Sequence, residues 1–506
     1  MHLKLNTDGA IDDGDVARDL GQEPADIVIL SAADSDLSSF SAALAKIQDG
    51  FPSVRLTNLL ALGHPASIDL YVERTLKQAK IVLLRMLGGE GYWPYGVESL
   101  RTDALRRGSL FACLPGELTW NPTLAARGTL GLEQTETLWR YSAEGGIDNA
   151  ISALRFAARL IGRSDAAPSP PRPMPAAGFF AEPGYNDHPN AALIFYRAIA
   201  ASGDTAPIDA MCRALRARDL NPVPIYVTSL KDERSISFLN TALAAFPPAV
   251  VINATAFATG TTQDDRGVLA RYDCPVLQVA LAGSTRAAWE KSSRGLTPRD
   301  LAMHVVLPEV DGRIFAHAIA FKERSAQLAT GFAPTLLKPV ADRVDASADL
   351  AAAWIRLRSA EPQQRKVALV LANYPNRDGR LANGVGLDTP KSLVDALKSM
   401  RDSGYDVGDA PLEATAMMQL LQSGPSNALE GRVRRMGGVP WPLSDYENAF
   451  DRLPDDVRNA VRGRWGSPAD DPHVAGCAFR LGLHRFGNLI VGIQPSRGYN
   501  IDPKST

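Results

Sequence analysis

Short apolar runs alternate with stretches of helical periodicity along most of this chain. In its first third, residues 26–30 and 81–87 predict buried strands, and 54–56 and 110–114 predict weaker ones. Helical patterns at 37–48, 67–78 and 96–106 lie between them. Strands interleaved with helices predict a parallel, doubly wound sheet. The same alternation restarts at 192–196, passes through a helix with Pro207 in its first turn and Ile208, Met211 and Leu215 on one face, and continues at 223–228, 249–253 and 276–280. A third start comes at 366. Val367-Ala368-Leu369-Val370-Leu371-Ala372 is a continuous apolar run, the pattern of a strand buried on both faces. Leu393, Leu397 and Met400 follow at helical spacing, with Thr389 as the expected N-cap and Pro390 in the first turn. The closing strand is expected at 489–493.

The predicted fold class is therefore α/β and multidomain, a series of doubly wound (Rossmann- or flavodoxin-like) parallel-sheet units. The clearest boundary is Pro168-Ser169-Pro170-Pro171-Arg172-Pro173-Met174-Pro175, a stiff polyproline-like stretch. Boundaries are expected at 1–163 for a first α/β domain, 164–177 for the linker and 178–329 for a second α/β domain. An alanine- and leucine-rich helical connector at 330–365 then leads into a third unit, 366–506.

A chain of 506 residues suits about three domains. Its 54 basic and 56 acidic residues leave a net charge of −2, with no basic surplus for nucleic acid or an anionic membrane. No apolar run approaches the ~20 residues that span a bilayer, and the first residues lack a signal-peptide core, so the expected location is cytoplasmic. Cys113, Cys212, Cys274 and Cys477 form no C-x-x-C pair and are expected to pack in cores.

Three places carry the interesting chemistry. Gly88-Gly89-Glu90-Gly91-Tyr92-Trp93-Pro94 superficially suggests a dinucleotide loop, but Pro94 occupies the third glycine's place. The loop after Leu371 holds Asn373, Tyr374, Arg377 and Arg380, and the tail after Ile493 holds Gln494, Arg497 and Tyr499. If the two strands are neighbours, both loops open into one crevice at the carboxyl ends of a parallel sheet, where α/β proteins bind ligands. The competing reading makes both strings structural turns. There is no G-x-x-x-x-G-K-[S/T] and no Gly-Lys dipeptide, so no usual phosphate cradle. Of seven histidines none forms H-E-x-x-H; His484, beside Arg485, is the one weak candidate metal ligand, and no catalytic residue is assigned.

Several of these strings resemble the family of the cobaltochelatase large subunit CobN and the magnesium-chelatase H subunit. They are Asn373-Tyr374-Pro375, Asn383-Gly384, Gly386-Leu387-Asp388-Thr389-Pro390 and Gln494-Pro495-Ser496-Arg497-Gly498-Tyr499-Asn500-Ile501-Asp502-Pro503. Tyr92-Trp93-Pro94-Tyr95-Gly96, Glu144-Gly145-Gly146 with Asp148-Asn149, Asn253-Ala254-Thr255 and Leu307-Pro308-Glu309-Val310-Asp311-Gly312-Arg313 extend the resemblance over the chain. It implies a tetrapyrrole-binding subunit of an enzyme that inserts Co²⁺, as substrate, into hydrogenobyrinic acid a,c-diamide in cobalamin biosynthesis. ATP and Mg²⁺ would be handled by separate AAA+ partner subunits. A downstream His-x-Gly-x-His-Gly-x-x-Glu-Trp-type signature of the family is absent, so the chain resembles the N-terminal portion, inactive in isolation. The alternatives are a non-catalytic tetrapyrrole-binding or docking module, a magnesium-chelatase H-type subunit and, from another class, a two-lobed solute-binding protein, disfavoured by the missing export signal.

Overall fold

The computed structural model describes residues 17–47, 50–86, 89–117, 119–164, 167–184, 187–260, 267–372, 382, 386–426 and 438–494. The chain divides into two compact units, Met1–Ile355 and Arg356–Thr506.

The first unit carries two sheets. One has four parallel strands, β1 (Ile27–Ser31), β2 (Val54–Asn58), β3 (Ile81–Met86) and β4 (Leu110–Pro115), in the order β2-β1-β3-β4. β1 and β3 are nearly all apolar because helices cover both faces: Ile27, Ile29 and Leu83 pack on one side, Val28, Leu30 and Leu84 on the other. The second sheet comprises β5 (Ala177–Phe179), β6 (Asn190–Tyr196), β7 (Asn221–Val227), β8 (Pro248–Asn253), β9 (Val276–Ala282), β10 (Ile314–Arg324) and β11 (Thr335–Pro339). Its order is β11-β10-β9-β8-β6-β7-β5, with a parallel interior and antiparallel edges at β5 and β11. In both sheets the first strand of the parallel set lies between the second and the third. Each therefore has a switch point beside that strand, the doubly wound arrangement the sequence predicts.

The stretch expected to be a helical connector begins instead with a strand. Thr335–Pro339 pairs with β10, Leu337 facing the sheet core, and the helical part is Ala341–Ser359 with a short 3-10 turn at Pro362–Gln364. Before it, Ala329–Phe332 crosses back to the first sheet. The Leu56 amide donates to Thr330 O (3.0 Å), Gln22 Nε2 donates to Gly331 O (2.9 Å), and Phe332 joins that sheet's core. The proline-rich stretch is likewise held down. Asn149, 6% exposed, donates to Arg172 O (2.7 Å) and accepts from the Arg172 amide (3.0 Å). Arg197 donates to Met174 O and Pro175 O, and Tyr141 Oη to Ser169 O.

The second unit has a three-stranded sheet, β12 (Val367–Leu371), β16 (Leu483–Phe486) and β17 (Leu489–Ile493), ordered β12-β17-β16, with β12 and β17 parallel. A second small sheet joins β13 (Val439–Pro442), β14 (Val474–Ala475) and β15 (Ala478–Leu481). Here one expectation fails. β12 is an edge strand covered on one face only. Leu371, with Val367 and Leu369 partly buried, packs on the helices Thr389–Asp402 and Ala414–Ser423, whereas Ala368 and Val370 face outward, Val370 60% exposed. An apolar run does not reveal how many faces are covered. The helix cap also moves by one residue: Asp388 accepts from the Lys391 amide (3.1 Å), and Thr389 is already helical. Leu393 and Leu397 are buried as the periodicity predicts.

Candidate functional site

β12 and β17 run side by side in register, Val367 opposite Leu489 through Leu371 opposite Ile493. The Gln494 amide donates to Leu371 O at 2.9 Å, extending the ladder one residue past the strands. The two loops singled out in the sequence thus depart from adjacent strand ends. Gln494 is exposed there. Asn373, Tyr374, Arg377, Arg380, Arg497 and Tyr499 lie outside the described residues.

His484 sits on β16, opposite Val491. Its ring lies against Gly424, where a Cβ would come within 2.6 Å of Cε1 and 2.9 Å of Nε2, so glycine is what lets the imidazole in. Nε2 is buried without a hydrogen-bond partner among the described residues, and burial pulls the imidazole below its usual pKa, favouring the neutral form. Among the described residues no three or more His, Cys, Asp or Glu side chains come together as a metal site. Among the described residues the His484 ring packs against Gly424.

Of the thiols, Cys113 and Cys212 are buried as expected, and burial pushes them up to about 12 and about 11. Cys477 departs from expectation and is exposed. In the glycine-rich loop Trp93 is buried, its Nε1 donating to Leu62 O (3.0 Å), while Tyr92 is exposed.

Sequence reasoning missed two polar clusters in the first unit, one partly and one fully buried at its centre, both at carboxyl ends of parallel strands. At the first switch point Ser31 Oγ donates to Asp36 Oδ2 (2.8 Å), and Arg85 pairs with Asp36 and donates to Gly116 O. The larger cluster lies beyond β8. Asn253 and Gln278 are fully buried and joined, Asn253 Nδ2 donating to Gln278 Oε1 (2.7 Å). Gln278 Nε2 donates to Thr255 O (2.7 Å), fixing the start of the next loop. Asp311 and Arg313 form an ion pair (2.5 Å) whose side chains are 1% and 2% exposed. The same carboxylate accepts from the Thr259 amide, the Thr259 hydroxyl and the Gly260 amide at 2.8–2.9 Å. Burial pulls the Arg313 guanidinium down from its ordinary value, with Asp311 opposing. The signal was present in the strings Asn253-Ala254-Thr255 and Asp311-Gly312-Arg313, but only the fold shows that they meet.

Comparison with known proteins fits this picture. The CobN/Magnesium Chelatase family profile matches residues 139–506. The chain is 44% identical to the aerobic cobaltochelatase subunit CobN of a Sinorhizobium species, over 100% of this chain and 41% of that one. It is 38% identical to the CobN subunit of Pseudomonas aeruginosa, over 99% and 41%. The magnesium-chelatase H subunit of Rhodobacter capsulatus matches at 26% identity over 62% of this chain and 27% of its own. In structure, the chain superposes on the catalytic subunit of cobaltochelatase from Mycobacterium tuberculosis with a TM-score of 0.74 and 26% identity, covering 95% of this chain and 39% of that one. The chain thus spans about two fifths of the length of the curated CobN relatives. With a profile matched over most of its length, and itself aligned over 99–100% of its residues with two CobN subunits, the chain belongs to the CobN/magnesium-chelatase family.

Proposed function

We propose that this chain forms part of the large, tetrapyrrole-binding subunit of an ATP-dependent cobaltochelatase that inserts Co²⁺ into hydrogenobyrinic acid a,c-diamide. The observation that carries the reading is the parallel pairing of β12 with β17, which starts both signature loops from neighbouring strand ends. A corrin-type macrocycle is broad and apolar across its faces, with carboxylates and amides at its rim. Arg377, Arg380 and Arg497 suit those carboxylates, Asn373 and Gln494 the amides, and Tyr374 and Tyr499 the ring. In this reading the chain's contribution is to bind and orient the macrocycle. Nucleotide hydrolysis falls to AAA+ partner subunits in the cytoplasm, since the sequence has no phosphate-cradling motif.

Arg377→Lys and Arg497→Lys test this. Lysine keeps the charge and loses the two-pronged donor set. Titration of hydrogenobyrinic acid a,c-diamide, followed by tryptophan fluorescence, is expected to show binding weakened by ~1.5–3 kcal/mol with the melting temperature unchanged. Unchanged affinity in both variants overturns the assignment. Loss of stability together with affinity favours structural turns.

A further inference from the structure

From Leu301 to Ile314, just past the exposed Arg299, the chain is polar on its inside and largely apolar on its outside. Its helical part is continuous: an α turn at Pro298–Leu301, a π-helical stretch at Ala302–Val306, and α again at Leu307–Val310. The buried positions are Asp300, His304, Asp311 and Arg313, together with Pro308. Asp300 caps the end of β9, accepting from the Gly283 amide (3.0 Å) and the Thr297 hydroxyl (2.9 Å). Asp311 and Arg313 belong to the network beyond β8. Exposed on the other side are Leu301, Val306, Leu307, Val310 and Ile314, with Val306 at 53% and Val310 at 61%. Glu309 is the only charged side chain exposed between Leu301 and Ile314.

A surface helix normally has the opposite polarity. The π stretch sharpens the inversion, because i→i+5 bonding brings residues five apart to the same side. Leu301 and Val306 therefore align, and Val310 follows one α turn later. Phe257 lies next to this segment through its backbone. It is exposed, its amide donates to Met303 O (3.0 Å), and its φ of 69° is a left-handed conformation a phenylalanine rarely adopts. Such a conformation persists where the surroundings over-determine it. Here Tyr196 grips Ala256 on one side, and Asp311 grips Thr259 and Gly260 on the other.

We infer that this face is a docking surface for the portion of the family's polypeptide that this chain does not match. More than half of each CobN relative lies outside the alignment. A continuous aliphatic stripe with one charge along it resembles a permanent interface more than a transient one, since transient interfaces are no more apolar than ordinary surface. The rigid polar underside holds the stripe in a fixed shape, as a docking surface requires. This inference is independent of where the macrocycle binds.

The test compares this chain with the full-length Sinorhizobium relative. Cysteine is placed at Val306 and Val310 here, and at the aligned positions there, and maleimide labelling is read by peptide mass spectrometry. The expected result is at least ~10-fold slower labelling in the full-length protein. A second measurement uses aspartate at the same positions. It should leave the melting temperature of this chain unchanged and lower that of the full-length relative. Equal labelling, or equal response to aspartate, overturns the inference. So does protection in this chain alone that grows with its concentration, which would make the occupant a second copy.

Discussion

Removing the Asp311 carboxylate should unfasten the loop beyond β8, and the cost can be worked from its partners. The carboxylate, itself sealed from water, balances one guanidinium and accepts three further hydrogen bonds, all within 2.9 Å, from the half-buried Thr259 and Gly260. Asp311→Ala leaves Arg313 buried and uncompensated, a defect of about 3–5 kcal/mol. Replacing both charges, Asp311→Ala with Arg313→Met, removes the orphaned cation. It leaves two amides and a hydroxyl without their acceptor, about 1–3 kcal/mol for each that water does not reach, a loss the single variant shares. The assay is amide hydrogen exchange resolved at Thr259 and Gly260, whose N–H groups bind the carboxylate. At ~1.4 kcal/mol per tenfold, protection should fall by about two to three orders of magnitude in the single variant and recover by at least about tenfold in the double. Exchange within threefold of wild type in Asp311→Ala refutes the reasoning. A double variant no better protected than the single one would place the cost in the lost hydrogen bonds rather than in the stranded charge.

Two further outcomes are expected. Asn149→Ala should free the proline-rich stretch from its backbone clamp, so that limited proteolysis cuts within residues 167–175 in the variant while sparing wild type under the same conditions. Stability should fall on acidification below pH ~6.5, because burial holds His304 and His484 below their ordinary pKa. The unfolded chain then takes up protons that the folded one refuses. His304→Gln and His484→Gln should each flatten the pH dependence of the melting temperature, and an unchanged slope in both would disprove it.

The sequence was most legible where helices cover both faces of a sheet. The apolar runs around Ile27–Ser31 and Ile81–Met86 became central strands because nothing else can bury such segments. The pairing of β12 with β17 could be anticipated only conditionally, since the register joins residues more than a hundred positions apart. Coverage was not legible. Val367–Leu371 is as apolar as β1, yet Val370 faces outward. Least legible was 300–314, where hydrophobicity alone would have buried Val306 and Val310 and exposed Asp311 and Arg313. Local pattern assigns sides by hydrophobicity, and here a tertiary network of Asn253, Gln278 and Thr259 overrides it. Of the candidate macrocycle site, the supporting strands and the helix Thr389–Asp402 were readable from apolar spacing and proline placement. The one-residue shift of the cap to Asp388 was not, since Asp and Thr cap almost equally well.

The placement of β12 also sets an order of events during synthesis. β16 and β17 form an antiparallel pair across a short turn and can close as soon as both are made. β12 leaves the ribosome long before them. At roughly 5–20 residues per second, it waits on the order of ten seconds for the strand it must join. Throughout that interval an apolar strand lacks its only sheet neighbour among the described strands, the condition under which nascent chains pair wrongly with one another. The vulnerability of this unit is therefore temporal: any slowing of translation between Leu371 and Leu489 lengthens it.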